Sequence, residues 1–112
     1  MPLALRQERH RTRIAERLRG RRFSKWDKLK EAIWTEIAID GNSRQHFDPV
    51  NIDNMGKGLA PFAPDSEWIG QRVKIEIHHK HEIAQGGAVY DFDNLVFMTP
   101  RVHVNHHREN NQ

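Results

Sequence analysis

The 112-residue sequence contains no cysteine, which excludes a disulfide framework, a thiolate metal site and a thiol nucleophile. Any chemistry that needs a soft metal ligand must therefore rest on histidine. No apolar run approaches the roughly 20 residues of a bilayer-spanning helix, and the N-terminus lacks the basic, apolar, small-residue order of a secretory signal. The chain is expected to be soluble, with no membrane-spanning segment and no export address of its own. It has no internal repeat and no low-complexity tract. Its length suits a single domain, residues 1–112, able to bury a modest core.

What the chain does have is an uneven distribution of charge. The formal net charge is +3, yet residues 1–22 hold eight arginines against Glu8 and Glu16. That segment alone carries +6, so the remainder carries −3. A local basic segment neutralises phosphates and releases counterions, giving salt-sensitive nucleic-acid affinity without sequence preference. The bland alternative is a solvated arm.

Apolar residues recur at helical spacing from Arg13 to Leu18 and from Phe23 to Ala38, predicting two helices separated at Gly20. Ser24 is the expected N-cap of the second. Trp26 and Trp34 are expected on its core-facing side. Residues 40–70 are rich in Asn, Asp, Gly and Pro and predict loops and short turns, one of them begun by Asp48-Pro49. Leu59, Phe62 and Trp68 are expected to pin this stretch to the core. Residues 72–77, RVKIEI, alternate strictly and predict a strand burying Val73, Ile75 and Ile77. Gly86-Gly87 signals a turn, residues 95–98 a second, antiparallel strand, and Thr99-Pro100 the start of a helix over about 101–109. The fold class is α+β. A basic arm and first helix (1–22), then a helix and loops (23–70), precede a strand, long loop, strand and helix (71–109).

Six of the eight histidines follow residue 77. His103 and His107 stand four apart on the last helix and can share one cation; His106 competes for that role, so spacing alone leaves the register open. His78 and His79 are neighbours on a strand and point to opposite sides. One can bind metal while the other, with an ordinary pKa near 6.5, accepts a proton from water. Three imidazole ligands leave a coordination position open for a phosphate oxygen, as in a catalytic rather than a closed site.

The stretch HHKHEIAQGGAVYDFDNLVFMTPRVHVNHH resembles the HNH motif of colicin and pyocin DNases, a ββα-metal motif. The likeness extends more weakly through RIAERLRGRRFSKWDKLKEAIW, NMGKGLAPF and GQRVKIE, and covers residues 13 to 108. It implies that His78, His103 and His107 hold the metal and that His79 is the general base. It further implies that Asn94 ties the loop so that the base points correctly, with an ordinary Asx turn as the alternative. Arg72 would contact a phosphate. Glu76 would orient a histidine or the water, or else form a cross-strand ion pair. Arg13, Arg17, Arg72 and Lys74 would hold the nucleic-acid backbone.

The resemblance also implies a small acidic immunity protein bound over residues 48 to 74, with Asn51 and Phe62 in the interface; the alternative for Phe62 is a core pin. Lys80, His81, Glu82 and Val102 depart from the family pattern, and a short arginine-rich start replaces the longer N-terminal part of the toxins. The expected function is a monomeric, metal-dependent DNase of low sequence preference, using one Zn, Ni or Mg ion. As a bacteriocin-type domain it would leave the producer and act in the target-cell cytoplasm; standing alone it would be cytoplasmic. The alternatives are a zinc-stabilised nucleic-acid-binding module and an inactive toxin homologue.

Overall fold

A computed structural model describes residues 8–79 and 94–110, with side chains at 13–79 and 94–106. Its α+β architecture has five helices among the described residues: α1 (Glu8–Leu18), α2 (Trp26–Ile39), α3 (Gly41–Arg44), α4 (Pro49–Gly56) and α5 (Pro100–Asn110). Two strands, β1 (Glu76–His79) and β2 (Leu95–Met98), pair antiparallel between α4 and α5. The turn expected at Gly86-Gly87 lies outside the described residues.

The helical periodicity read from the sequence is the core. Ile14 and Leu18 of α1 meet Leu29, Ile33, Trp34 and Ile37 of α2, and Met55 of α4 joins them. Ile75 and Ile77 from the strand region and Leu95 and Phe97 from β2 complete one buried cluster. Trp34 meets Phe97 edge-on, ring centroids 5.5 Å apart, so the helical half and the sheet share one aromatic contact.

Three boundaries differ from the sequence reading. The residue before α2 is Lys25, in extended conformation and without a side-chain cap, so Ser24 is not the N-cap. The strand begins at Glu76 rather than Arg72. Residues 72–75 instead pair discontinuously with the loop before them, through Lys74 with Phe62 and Arg72 with Ile69. Pro61 and Pro64 have no N–H to give, which prevents that loop from forming a continuous ladder. Leu59, Phe62 and Trp68 are exposed rather than pinned inward. The segment is held instead by buried Pro61 and Ala63, by Ala63 N–H donating to Val73 O (2.9 Å), and by Ile75 N–H donating to Pro61 O (3.0 Å). Gly58, at φ +86°, reverses the chain so close to α2 that a Cβ there would lie 3.2 Å from Glu31 Cβ.

Two expected caps form. Asp48 accepts from Asn51 N–H at 2.9 Å with Pro49 at the first helical position, and Thr99 Oγ1 accepts from Val102 N–H at 3.2 Å. Thr99 is fully buried and also donates to Glu67 Oε1 at 2.7 Å, while Arg101 Nε donates to Ser66 O at 2.8 Å. These bonds fix the N-terminus of α5 to the 3-10 turn Asp65–Glu67.

Asp40 joins α1 to the end of α2. Its carboxylate accepts from Arg13 Nε (3.1 Å) and lies 3.3 Å from Arg17 Nη2, and it caps α3 through Ser43 N–H (3.0 Å) and Ser43 Oγ (2.6 Å). Burial pushes its pKa up, but the hydrogen bonds from Arg13 and Ser43, with the Arg13 charge, outweigh burial and hold it at about 2. Its folded value lies below the ordinary carboxylate value, so its contribution to stability is complete above about pH 4. That contribution disappears as pH falls towards 2. Asp40→Ala should cost about 2–3 kcal/mol, below the roughly 3–5 kcal/mol of a fully buried broken pair, because Arg13 and Arg17 are each about one-third exposed and can rehydrate. Thermal melts of Asp40→Ala and Asp40→Asn between pH 2 and pH 7 check this: both variants should depend less steeply on pH below 4 than the parent does.

Candidate active site

The pleat of β1 decides the site. Alternate residues face the same way, so Glu76 and His78 share one side and His79 takes the other. The register Glu76 with Met98, Ile77 with Phe97, His78 with Val96 and His79 with Leu95 brings β2, and α5 after it, under the first side. His103, one turn into α5, donates its backbone N–H to Thr99 O at 3.0 Å. Its ring stacks on that of His78 with centroids 4.0 Å apart.

Glu76, His78 and His103 each offer a donor atom, and these atoms lie within 4.8 Å of one another. Glu76 Oε1 stands 2.9 Å from His78 Nε2 and 3.2 Å from His103 Nδ1. Arg72 reaches into the same group, donating from Nε to Glu76 Oε2 (3.0 Å) and from Nη2 to Glu76 Oε1 (2.7 Å). The same Nη2 lies 2.6 Å from His103 Nδ1. A guanidinium can only donate, so this Nδ1 accepts, and its lone pair faces the centre of the cluster. Burial raises the pKa of Glu76, but hydrogen bonds from Arg72 and His78 and their charges lower it further than burial raises it.

Three donors thus converge around a point that already attracts a cationic group, and their chemistry, imidazole nitrogen with one carboxylate oxygen, suits a divalent cation. Glu76 therefore stands among the potential ligands as well as beside them. His107 lies on α5 one turn beyond His103; its side chain is outside the described residues.

His79, on the opposite side of β1, packs its ring on Trp26 at 4.4 Å between centroids. Asn94 is buried immediately before β2, next to the ladder partner of His79. Arg13 and Arg17 are turned to Asp40. The Lys74 ammonium sits 5.4 Å over the exposed Phe62 ring, and Asn51 Oδ1 accepts from Phe62 N–H at 2.9 Å. A cleft of about 570 Å³ between α2, the turn at Gly58 and β1 has Trp26, Lys30, Leu59, Glu76 and His78 on its walls.

The sequence reading missed the place of Trp26 at this cleft. Its helical spacing with Leu29 and Ile33 is the ordinary signature of a core residue, and nothing in that spacing signals a neighbour on β1.

Comparison with known proteins agrees with this geometry. The family description "Colicin/Pyocin-S2, DNase domain" matches residues 10–108. Pyocin-S2 of Pseudomonas aeruginosa is 42% identical over 97 residues, covering 87% of this chain and 14% of its own length. Among solved structures, the pyocin AP41 DNase–immunity complex superposes with a TM-score of 0.84 at 38% identity, covering 86% of this chain and 75% of that one. The mutant nuclease domain of pyocin S8, solved with its cognate immunity protein, gives 0.78 at 44% identity, covering 82% and 74%. The antiparallel strands, the helix that follows them and the clustered histidines place the chain in the ββα (HNH) fold class. This chain belongs to the colicin/pyocin DNase domain family.

Nickel titration by calorimetry checks the ligand assignment. His78→Ala, His103→Ala and His107→Ala should each weaken binding by at least about 100-fold, and Glu76→Gln by about 10- to 100-fold. His79→Ala should leave it nearly unchanged.

Proposed function

We propose that this chain is a single, monomeric cytotoxic nuclease domain that hydrolyses DNA phosphodiester bonds with little sequence preference. The observation that carries the reading is the split between neighbours on β1, His78 turned into the donor cluster and His79 turned away from it towards the cleft wall at Trp26. One residue is thereby available to hold an ion and the next to take a proton.

In this reading His79 accepts a proton from water as the water oxygen bonds to phosphorus in line with the departing 3′ oxygen. The phosphorus–3′-oxygen bond breaks, the departing 3′ oxygen takes a proton from a solvent water, and a 3′ hydroxyl and a 5′ phosphate remain. A divalent ion bound by His78, His103 and His107 would supply positive charge against the charge developing on the phosphate. Imidazole ligands suit zinc or nickel, and magnesium is the third candidate. Glu76 orients His78, and Asn94 ties the loop end beside His79.

Arg72 and Lys74 hold the phosphate backbone, which carries little base information and so gives weak sequence preference. Arg13 and Arg17 have their charge met by Asp40, and we assign them to the α1–α2 junction rather than to DNA. As a bacteriocin domain, the chain would act in the cytoplasm of the target cell.

We infer that a small acidic immunity protein covers the surface around Phe62. Leu59 and Phe62 are exposed there, with Lys74 beside them to meet a carboxylate. The relatives pyocin AP41 and pyocin S8 each form a complex with an immunity protein.

Plasmid nicking tests the enzyme: EDTA should abolish it, and folded, metal-loaded His79→Ala should lose about 10²- to 10⁴-fold in rate. A parental rate in that variant removes His79 as the base. Phe62→Ala should weaken binding to the immunity protein by at least about 2 kcal/mol, near 30-fold, without changing nicking.

A further inference from the structure

We propose that Trp26 is a positioning residue for catalysis: its indole, stacked on the ring of His79, holds that imidazole in the plane from which it takes the proton. The inference rests on the assignment of His79 as general base and adds what fixes it.

The two ring centroids lie 4.4 Å apart with the planes tilted by 33°, close enough for ring-on-ring packing. A face contact restrains the ring plane while engaging neither nitrogen. A general base needs both nitrogens for in-plane partners, one for the water and one for a tie to the protein. The tie fixes one direction in the ring plane, and a contact on the ring face restrains rotation about it.

The stacking partner is itself firmly mounted. Trp26 is the first residue of α2, and the same helix buries Leu29 and Ile33 in the core. The Lys30 ammonium, one turn along, lies 5.6 Å from the Trp26 ring centroid and pairs with Asp27 at 3.2 Å. Trp34, which borders the same cleft, is 3% exposed and packs on Phe97 within the core, whereas Trp26 is half-buried. Among the described residues, its ring contact with the sheet is with His79, the residue assigned as base. His79 in turn is restrained on its strand by the ladder partner Leu95.

The test compares the parent, Trp26→Leu, Trp26→Phe and His79→Ala in plasmid nicking, with nickel affinity measured alongside. Trp26→Leu should lower kcat by about 10- to 100-fold, the scale of a misplaced catalytic group, with KM and nickel affinity unchanged. Trp26→Phe restores a ring face and should recover most of kcat. In NMR spectra of the parent, the His79 ring protons should be displaced upfield by the indole ring current, and Trp26→Leu should remove that displacement. The inference is overturned if Trp26→Leu keeps parental kcat while His79→Ala is inactive. It is equally overturned if Trp26→Leu changes only KM, which would make Trp26 a DNA contact. An absent ring-current shift in the parent also sinks it, and that readout needs no variant to fold. A fully active His79→Ala would be a different result, removing the base assignment itself.

Discussion

The site depends on the alternation of side chains along four residues of β1. A strand sends successive side chains to opposite faces, so a pair of adjacent histidines cannot both enter one cluster. His78 joins Glu76 and His103, and His79 meets Trp26. A one-residue slip in the pairing with β2 would exchange these roles and also turn Ile77 out of the core. The burial of Ile77 and Phe97 on the opposed strands therefore secures the register that keeps the two rings apart.

Around that strand the protein uses a few well-aimed polar contacts. Thr99 both caps α5 and ties it to Glu67, which sets the height of His103 relative to His78. Arg72 serves two neighbours at once, a carboxylate and an imidazole, and so concentrates a charge-assisted network at the mouth of the cluster. Asp40 does comparable work away from the site, meeting two arginines and a helix N-terminus with one buried carboxylate. The basic N-terminal segment thus divides its charge between internal structure and the surface.

Much of the architecture was legible because local chemistry and periodicity agreed with the final fold. Leu29, Ile33, Trp34 and Ile37 carry a helical period that became the buried face of α2. Asp48-Pro49 and Thr99-Pro100 capped helices as their chemistry suggests. The first half of the predicted strand failed for a nonlocal reason: its partner is a proline-containing loop that cannot supply a full ladder. Ser24 failed because the chain enters α2 one residue later, at Lys25, in extended conformation.

By itself the sequence determined which residues can do chemistry: the chain has no thiolate to offer, and the spacing of the late histidines, with the motif they form, marks it as a member of the colicin/pyocin DNase domain family. Only the tertiary structure decided what those residues meet. Arg13 and Arg17 look like phosphate-binding charge until Asp40, more than twenty residues away, is packed against them. Trp26 packs against the core as its spacing suggests, and only the fold adds that β1 brings His79 to its ring. Periodicity and composition report on neighbours along the chain, whereas a contact between a helix and a strand fifty residues later is set by how the shared core closes.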